Sequence, residues 1–138
     1  MANMTEKLLL IGFGIFTIIS FFSILNPYIN VIFDYNNHQE EFDNIIQNID
    51  EIDASINYVS EKNETYINKI YIFKDLNLTI NNFHINYSFH LIKKTEITKF
   101  YEMTIEDEKI SLKSETSYYL KVLNNNNNIL EIDFIPLN

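Results

Sequence analysis

The chain of 138 residues contains no cysteine, no tryptophan and only two glycines. Without cysteine, no disulfide can hold the fold, and no thiolate can bind a metal or act as a nucleophile. Both glycines, Gly12 and Gly14, lie near the N-terminus. Residues 15–138 therefore lack the glycine-rich loops that cradle phosphates and dinucleotides. Tight turns in this part must be made by asparagine and aspartate, which tolerate positive φ better than other residues.

The chain also lacks arginine, so its 10 basic residues are all lysines, against 19 acidic residues. The formal net charge is -9. An acidic surface repels phosphate backbones, which argues against a nucleic-acid partner.

One stretch, residues 8–33, contains no charged side chain. As a helix it would be about 39 Å long, more than the hydrocarbon core of a bilayer, which is about 30 Å thick. We interpret it as a retained membrane anchor that follows a short polar leader, residues 1–7. A cleaved signal peptide is less favoured, because the run is too long and the bulky pair Phe21 and Phe22 lies where cleavage would occur. A buried core helix is also less favoured, because so small a chain has little material to cover it.

The anchor is predicted to continue through Pro27 with a kink, since the apolar pattern resumes at once. The side chains predicted to contact lipid are Leu8, Leu9, Leu10, Ile11, Phe13, Phe16, Ile18, Ile19, Phe21, Phe22, Ile24 and Leu25.

Orientation is read from the charges that flank the anchor. Lys7 and the terminal amine precede it, whereas residues 34–53 are acidic and contain no lysine. The positive-inside rule then places the N-terminus inside and the C-terminal part outside the cell membrane. Candidate N-glycosylation sequons begin at Asn63, Asn77 and Asn86, although roughly two would be expected by chance in a chain this rich in asparagine, serine and threonine.

Residues 34–61 have a helical pattern, so that one helix is expected from Thr5 to about Ser60. Its apolar side chains follow spacings of three and four residues, which is a heptad-like seam. This Ile seam consists of Phe42, Ile45, Ile49, Ile52, Ile56 and Val59. It can pack on the protein's own β-domain, which we favour, or on other copies of the chain.

Residues 62–138 change to a period of two, which indicates strands. The predicted strands cover residues 66–73, 76–80, 83–92, 96–105, 109–113, 117–123 and 129–135. This predicts an α+β fold in which the long helix is followed by one antiparallel sheet or a small β-sandwich. One sheet laid on the helix is preferred, because the Ile seam then finds a partner.

The residues that carry chemistry do not form a recognisable catalytic or metal-binding pattern. His84 and His90 lie on one strand about 20 Å apart, too far to share a metal. Residues 106–108 form an acidic turn, which is more typical of a solvated hairpin than of a Ca²⁺ site. His38 is expected to be solvated. We therefore predict a non-enzymatic protein without metal, cofactor or small-molecule substrate.

An apolar then amphipathic N-terminal helix with a proline, followed by an all-β head, resembles the layout of type IV pilin-like proteins. The archaeal branch, with its archaellum-associated membrane-anchored β-domain proteins, is the most similar in style. The resemblance implies that residues 8–33 sit in the membrane and that the Ile seam joins the anchor to the head. Pilin precursors carry a charged leader that ends at a small residue, whereas here Lys7 is followed directly by Leu8. A permanently anchored accessory protein therefore matches better than a filament subunit.

Three functions follow from these observations. The first is a structural or interaction component of the cell envelope, exposed outside the cell, whose partners are the lipid bilayer and either a second copy or another envelope protein. The second is a membrane-tethered β module that binds a ligand or partner. The third is a virus-encoded envelope membrane protein, which composition does not separate from the first.

Overall fold

The computed structural model of the protein describes residues 2–137, without the side chains of residues 2, 31, 34 and 35. The first residue of the predicted leader and the last of the predicted β domain lie outside the described residues. Within them, helix α1 (Ala2–Lys62) is followed by seven strands. These are β1 (Tyr66–Ile72), β2 (Leu76–Asn81), β3 (His84–His90), β4 (Lys94–Phe100), β5 (Glu108–Leu112), β6 (Thr116–Asn124) and β7 (Leu130–Pro136). The α+β class predicted from the sequence is confirmed.

The chain divides into two compact units, Met1–Asn37 and His38–Asn138. In the first unit α1 continues through Pro27. The second unit contains the rest of α1 and all seven strands, and it is called the head below.

The strands form two antiparallel sheets, whereas the sequence favours one sheet laid on the helix. The three-stranded sheet has the order β1-β6-β7, and the four-stranded sheet has the order β4-β3-β2-β5. The preference for one sheet was wrong because a single long ribbon of paired strands bends from one sheet into the other.

This bend can be located from the strand register. Ile72 pairs with Thr116 in the three-stranded sheet, and Leu76 pairs with Leu112 in the four-stranded sheet. Three residues lie between the two pairs on each side of the ribbon, so the register continues without an insertion. Residues 73–75 and 113–115 form the corner of the ribbon.

The fourth predicted strand, residues 96–105, is shorter in the structure and ends at Phe100. Beyond it the chain leaves the four-stranded sheet, and Ile105 forms a parallel bridge with Leu130 of β7. The Ile105 amide donates to the Asn82 carbonyl at 2.6 Å, and the Leu130 amide donates to the Thr104 carbonyl at 2.9 Å. This segment therefore joins the two sheets a second time, through contacts that a local alternation pattern does not reveal.

The core of the head is one apolar cluster that contains the Ile seam and residues of both sheets. Ile45, Ile49, Ile52, Ile56 and Val59 are at most 1% exposed. Phe42 is half-buried, and its ring centre lies 6.3 Å from that of Phe89 on β3. The seam of this chain thus packs on its own strands.

Asn48 is the polar side chain that links the buried face of α1 to a strand. It is 2% exposed, and its Nδ2 donates to the Tyr71 carbonyl at 2.7 Å. Its Oδ1 accepts from the Phe73 amide at 3.2 Å. One amide side chain thus satisfies the Tyr71 carbonyl near the end of β1 and the Phe73 amide at the start of the corner. A neighbouring strand would satisfy such backbone groups in the same way.

We predict that Asn48→Ala lowers the free energy of unfolding of the head by about 2–4 kcal/mol, because two partly buried backbone groups lose their partner. Asn48→Asp should be at least as harmful, since it removes the donor and buries a charge. The measurement is denaturant unfolding of the full chain in detergent, monitored by the near-ultraviolet circular dichroism of its tyrosines.

Asn57→Ala is the matched control, because Asn57 lies on the same helix and is exposed. It should change the free energy of unfolding by less than about 0.5 kcal/mol. Equal losses for both alanine variants would show that Asn48 does not hold β1.

Candidate functional site

The first candidate site is the apolar helix segment Asn3–Asn30, called the candidate span. It has 28 residues, a mean hydropathy of 2.5 and no buried part. By length and composition, it is the one segment of the described residues that could cross a membrane, a test that an N-terminal signal sequence also passes. Burying one large apolar side chain contributes about 1.5–3 kcal/mol. A helix segment exposed on all faces would therefore be stabilised by an apolar environment.

The residues predicted to contact lipid lie in this segment. Eleven of the twelve are 58–73% exposed, and Leu25 is intermediate. Gly12 and Gly14 have open space where a side chain would begin. The Thr17 hydroxyl donates to the Phe13 carbonyl at 2.8 Å, so this polar group is satisfied within the helix.

The second candidate site is a cleft of about 540 Å³ at the corner of the ribbon. It is lined by Glu41, Asn44, Phe73, Lys74, Asp75, His90, Ser114 and Glu115. These residues belong to α1, to the end of β3 and to the two segments that form the corner. The cleft exists because the ribbon bends here, and its lining is mostly polar and charged.

The cleft contains one ion pair and two further carboxylates, those of Asp75 and Glu115. Lys74 Nζ lies 2.7 Å from Glu41 Oε2, and this hydrogen bond lowers the pKa of Glu41. The Asp75 carboxylate accepts from the Ser114 amide at 2.8 Å, which lowers the pKa of Asp75. These contacts hold the corner in shape.

Glu115 takes an unusual backbone conformation at this corner, with φ of 56°. Its amide donates to the Ile72 carbonyl at 2.8 Å, which closes the bend. The other positive φ values among the described residues belong to Asn63, Asn82 and Asn128. Three of these four residues agree with the expectation that asparagine and aspartate make the tight turns in the absence of glycine, and Glu115 is an exception.

A pair of tyrosines lies between the four-stranded sheet and α1. Tyr87 is fully buried, and its hydroxyl is 3.4 Å from that of Tyr101, which in turn contacts Asp53. Burial raises the pKa of each of the two tyrosines above the ordinary value for a tyrosine. Both hydroxyls are therefore held in the neutral form, as donors in a short polar chain.

The histidines and the acidic turn are placed apart from one another. His84 stacks near Phe100, His90 lines the corner cleft, and His38 Nδ1 lies 3.7 Å from Glu41. Asp107 accepts from the Asn82 amide at 2.7 Å and so closes the β2–β3 turn. Across residues 2–137, no group of three or more histidine, aspartate or glutamate side chains is arranged to hold a metal ion.

The three sequon asparagines occupy different environments. Asn63 is exposed in the turn after α1, with φ of 54°. Asn77 and Asn86 lie on the outer face of the two central strands β2 and β3. Asn63 accepts from Asn124 at 2.8 Å and Asn77 accepts from Ser111 at 2.7 Å. Both are exposed, whereas Asn86 is half-buried.

Comparison with protein-family models, with curated proteins and with solved structures finds no match for this chain. The assignment of function therefore depends on the chain's own physical features.

Sequence reasoning did not identify Asn48 or the corner residues. Asn48 had a signal in the sequence, because position 48 lies three residues after Ile45 and four before Ile52 and so is a polar position on the apolar helix face. The corner cleft had none, since it depends on pairs about 40 residues apart.

We predict that the head becomes less stable above about pH 10, the ordinary pKa of tyrosine. The folded head keeps the Tyr87 proton while the unfolded chain loses it. The free energy of unfolding then falls by up to about 1.4 kcal/mol per pH unit for each such tyrosine. Tyr87→Phe should reduce this slope, measured by denaturant unfolding between pH 9 and 11.5.

Tyr119→Phe is the control, because Tyr119 is 45% exposed. It should keep the slope of the unaltered protein. An unchanged slope for Tyr87→Phe would mean that the Tyr87 hydroxyl ionises within the folded head.

Proposed function

We propose that this protein is a non-enzymatic, single-pass membrane protein that presents its head outside the cell as a structural or interaction component of the envelope. Its layout resembles that of archaeal type IV pilin-like proteins, and a permanently anchored accessory protein is the version we favour.

The observation that carries the proposal is the exposure of the candidate span. No residue of the candidate span is buried, whereas five of the six seam residues on the same helix are at most 1% exposed. A bilayer satisfies a helix that is apolar on all faces, and the helix satisfies its own backbone groups.

The absence of a convergent set of groups supports a non-enzymatic role. The corner cleft contains one lysine, and it is paired with Glu41. Its histidine, His90, is exposed. The polar cleft favours, as a second candidate, a membrane-tethered module that binds a small polar ligand there.

The first experiment measures membrane retention. We expect the protein to stay with the membrane after alkaline carbonate washing. Ile15→Lys with Ile19→Lys places two charges near the middle of the candidate span. Each charge raises the free energy of membrane insertion by about 2.5–3.5 kcal/mol, so this double variant should be largely released by the wash. Ile92→Lys with Phe100→Lys adds the same charge at exposed positions of the head and should leave retention unchanged.

The second measurement concerns orientation and processing. Because the chain has no cysteine, Thr5→Cys and Asn126→Cys each give one labelling site. A membrane-impermeant maleimide on intact cells should label Asn126→Cys, and Thr5→Cys only after lysis. The reverse pattern, or an intact mass showing that the candidate span has been removed, would overturn the proposal.

A further inference from the structure

The outer face of the three-stranded sheet carries exposed apolar side chains. Ile67, Tyr71, Tyr119 and Ile135 are 61%, 43%, 45% and 52% exposed. The register makes them one surface, because Tyr119 is the partner of Lys69 on β1 and of Ile135 on β7. Tyr71 extends this surface to Phe73 at the corner, with ring centres 5.1 Å apart. We call it the tyrosine face.

The outer face of the four-stranded sheet has a different character. Its central strands present mainly asparagine, serine, threonine and histidine, in register across β2 and β3. An exposed Phe100 lies at its edge. Two outer faces of one small head thus differ in polarity, and tyrosine with aliphatic side chains is typical of protein interfaces.

The tyrosine face also carries positive charge in a chain with a net charge of -9. Lys69 and Lys121 flank Tyr119 on β1 and β6. Neither makes a salt bridge with another residue of 2–137. Two carboxylates lie on β7 at the border of the face: Asp133 is the partner of Lys121, and Glu131 accepts from Asn125 at 2.9 Å.

A surface rich in carboxylates, which the two lysines of the tyrosine face can pair with, lies on α1 of the head. Positions spaced by three and four residues form an exposed stripe opposite the Ile seam: Glu40, Asp43, Gln47, Asp50, Ala54, Asn57 and Glu61. Glu51 is exposed beside it, and residues 38–61 contain no lysine or arginine. We call this the acidic stripe.

We propose that the tyrosine face of one copy binds the acidic stripe of a second copy. The lysines of the face meet the carboxylates of the stripe, and the apolar side chains pack around Ala54. The two surfaces differ, so the contact is heterologous and can extend from copy to copy in a row. Contact between two acidic stripes is disfavoured by like charge.

This inference rests on the proposed function, because anchoring in one membrane confines the copies to a plane and raises their effective concentration. The tyrosine face is small, and exposed ion pairs are individually weak. The contact should therefore form in the membrane and dissociate when the protein is diluted in detergent.

The test uses single cysteines in a chain that has none of its own. Ala54→Cys and Tyr119→Cys are expressed together with different tags, and the membranes are oxidised with copper phenanthroline. We expect a mixed disulfide between the two variants. Ala54→Cys with Ser111→Cys is the control pair, because Ser111 is exposed on the other sheet, and it should give background cross-linking only.

Charge reversal tests the chemistry of the same contact. Lys69→Glu with Lys121→Glu in the Tyr119→Cys copy should lower the yield about tenfold, the factor expected for the reversal of two exposed ion pairs. Asp50→Lys with Glu51→Lys in the Ala54→Cys copy should restore it. Lys109→Glu with Lys113→Glu makes the same charge change elsewhere and should have no effect.

Several outcomes would overturn the inference. A disulfide only between two Tyr119→Cys copies would show a symmetric contact of tyrosine faces. No cross-link in protein that resists carbonate washing would show that this contact does not form, while leaving the membrane anchor intact. Protein released by carbonate washing would refute the proposed function itself, and the inference with it.

Discussion

The head depends on the burial of one helix face that is almost entirely apolar. Five members of the Ile seam are at most 1% exposed, and they share one cluster with the inner faces of both sheets. A flat sheet covers only one side of a helix, whereas two sheets joined at a bent ribbon provide apolar side chains from two directions. The corner and the cleft beside it follow from that requirement. Asn48 has a role in the same packing, because its side-chain amide lies on the buried helix face and bonds to the backbone of Tyr71 and Phe73.

A chain without glycine after Gly14 must make its bends from other residues. Asparagine does so at three turns with positive φ, where its side chain tolerates the left-handed conformation. Glu115 is the exception, and for an ordinary residue this conformation costs about 1–2 kcal/mol. Its position explains why it is tolerated: the Glu115 amide bonds to Ile72, and the neighbouring Ser114 amide bonds to Asp75. The corner is thus held by hydrogen bonds from the amides of the strained residue and of the residue before it.

The sequence predicted the features that depend on periodicity. The long helix, the seam and most strands follow from spacings of 3.6 and two, and β3 differs from its predicted range by one or two residues at either end. The sequence did not predict the features that depend on distant pairing. Nothing local marks residues 73–75 as a change of sheet, because the register passes through them without an insertion. Residues 101–105 alternate as a strand does, yet Ile105 pairs with Leu130 of the other sheet. The sequence did not predict the tyrosine face either, since Tyr119 and Ile135 become neighbours only through the pairing of β6 with β7.

The burial of the Ile seam also limits how copies of this chain can meet. A heptad-like seam is the usual signature of helices that associate with one another, but here its positions are occupied by the head's own strands. Association through the seam would expose the inner faces of both sheets, including Leu78, Ile85 and Val122, which are at most 1% exposed. Folding and seam-to-seam association are therefore mutually exclusive. Any contact between folded heads must use the surfaces that folding leaves exposed, and among these the tyrosine face offers two lysines and the acidic stripe offers carboxylates.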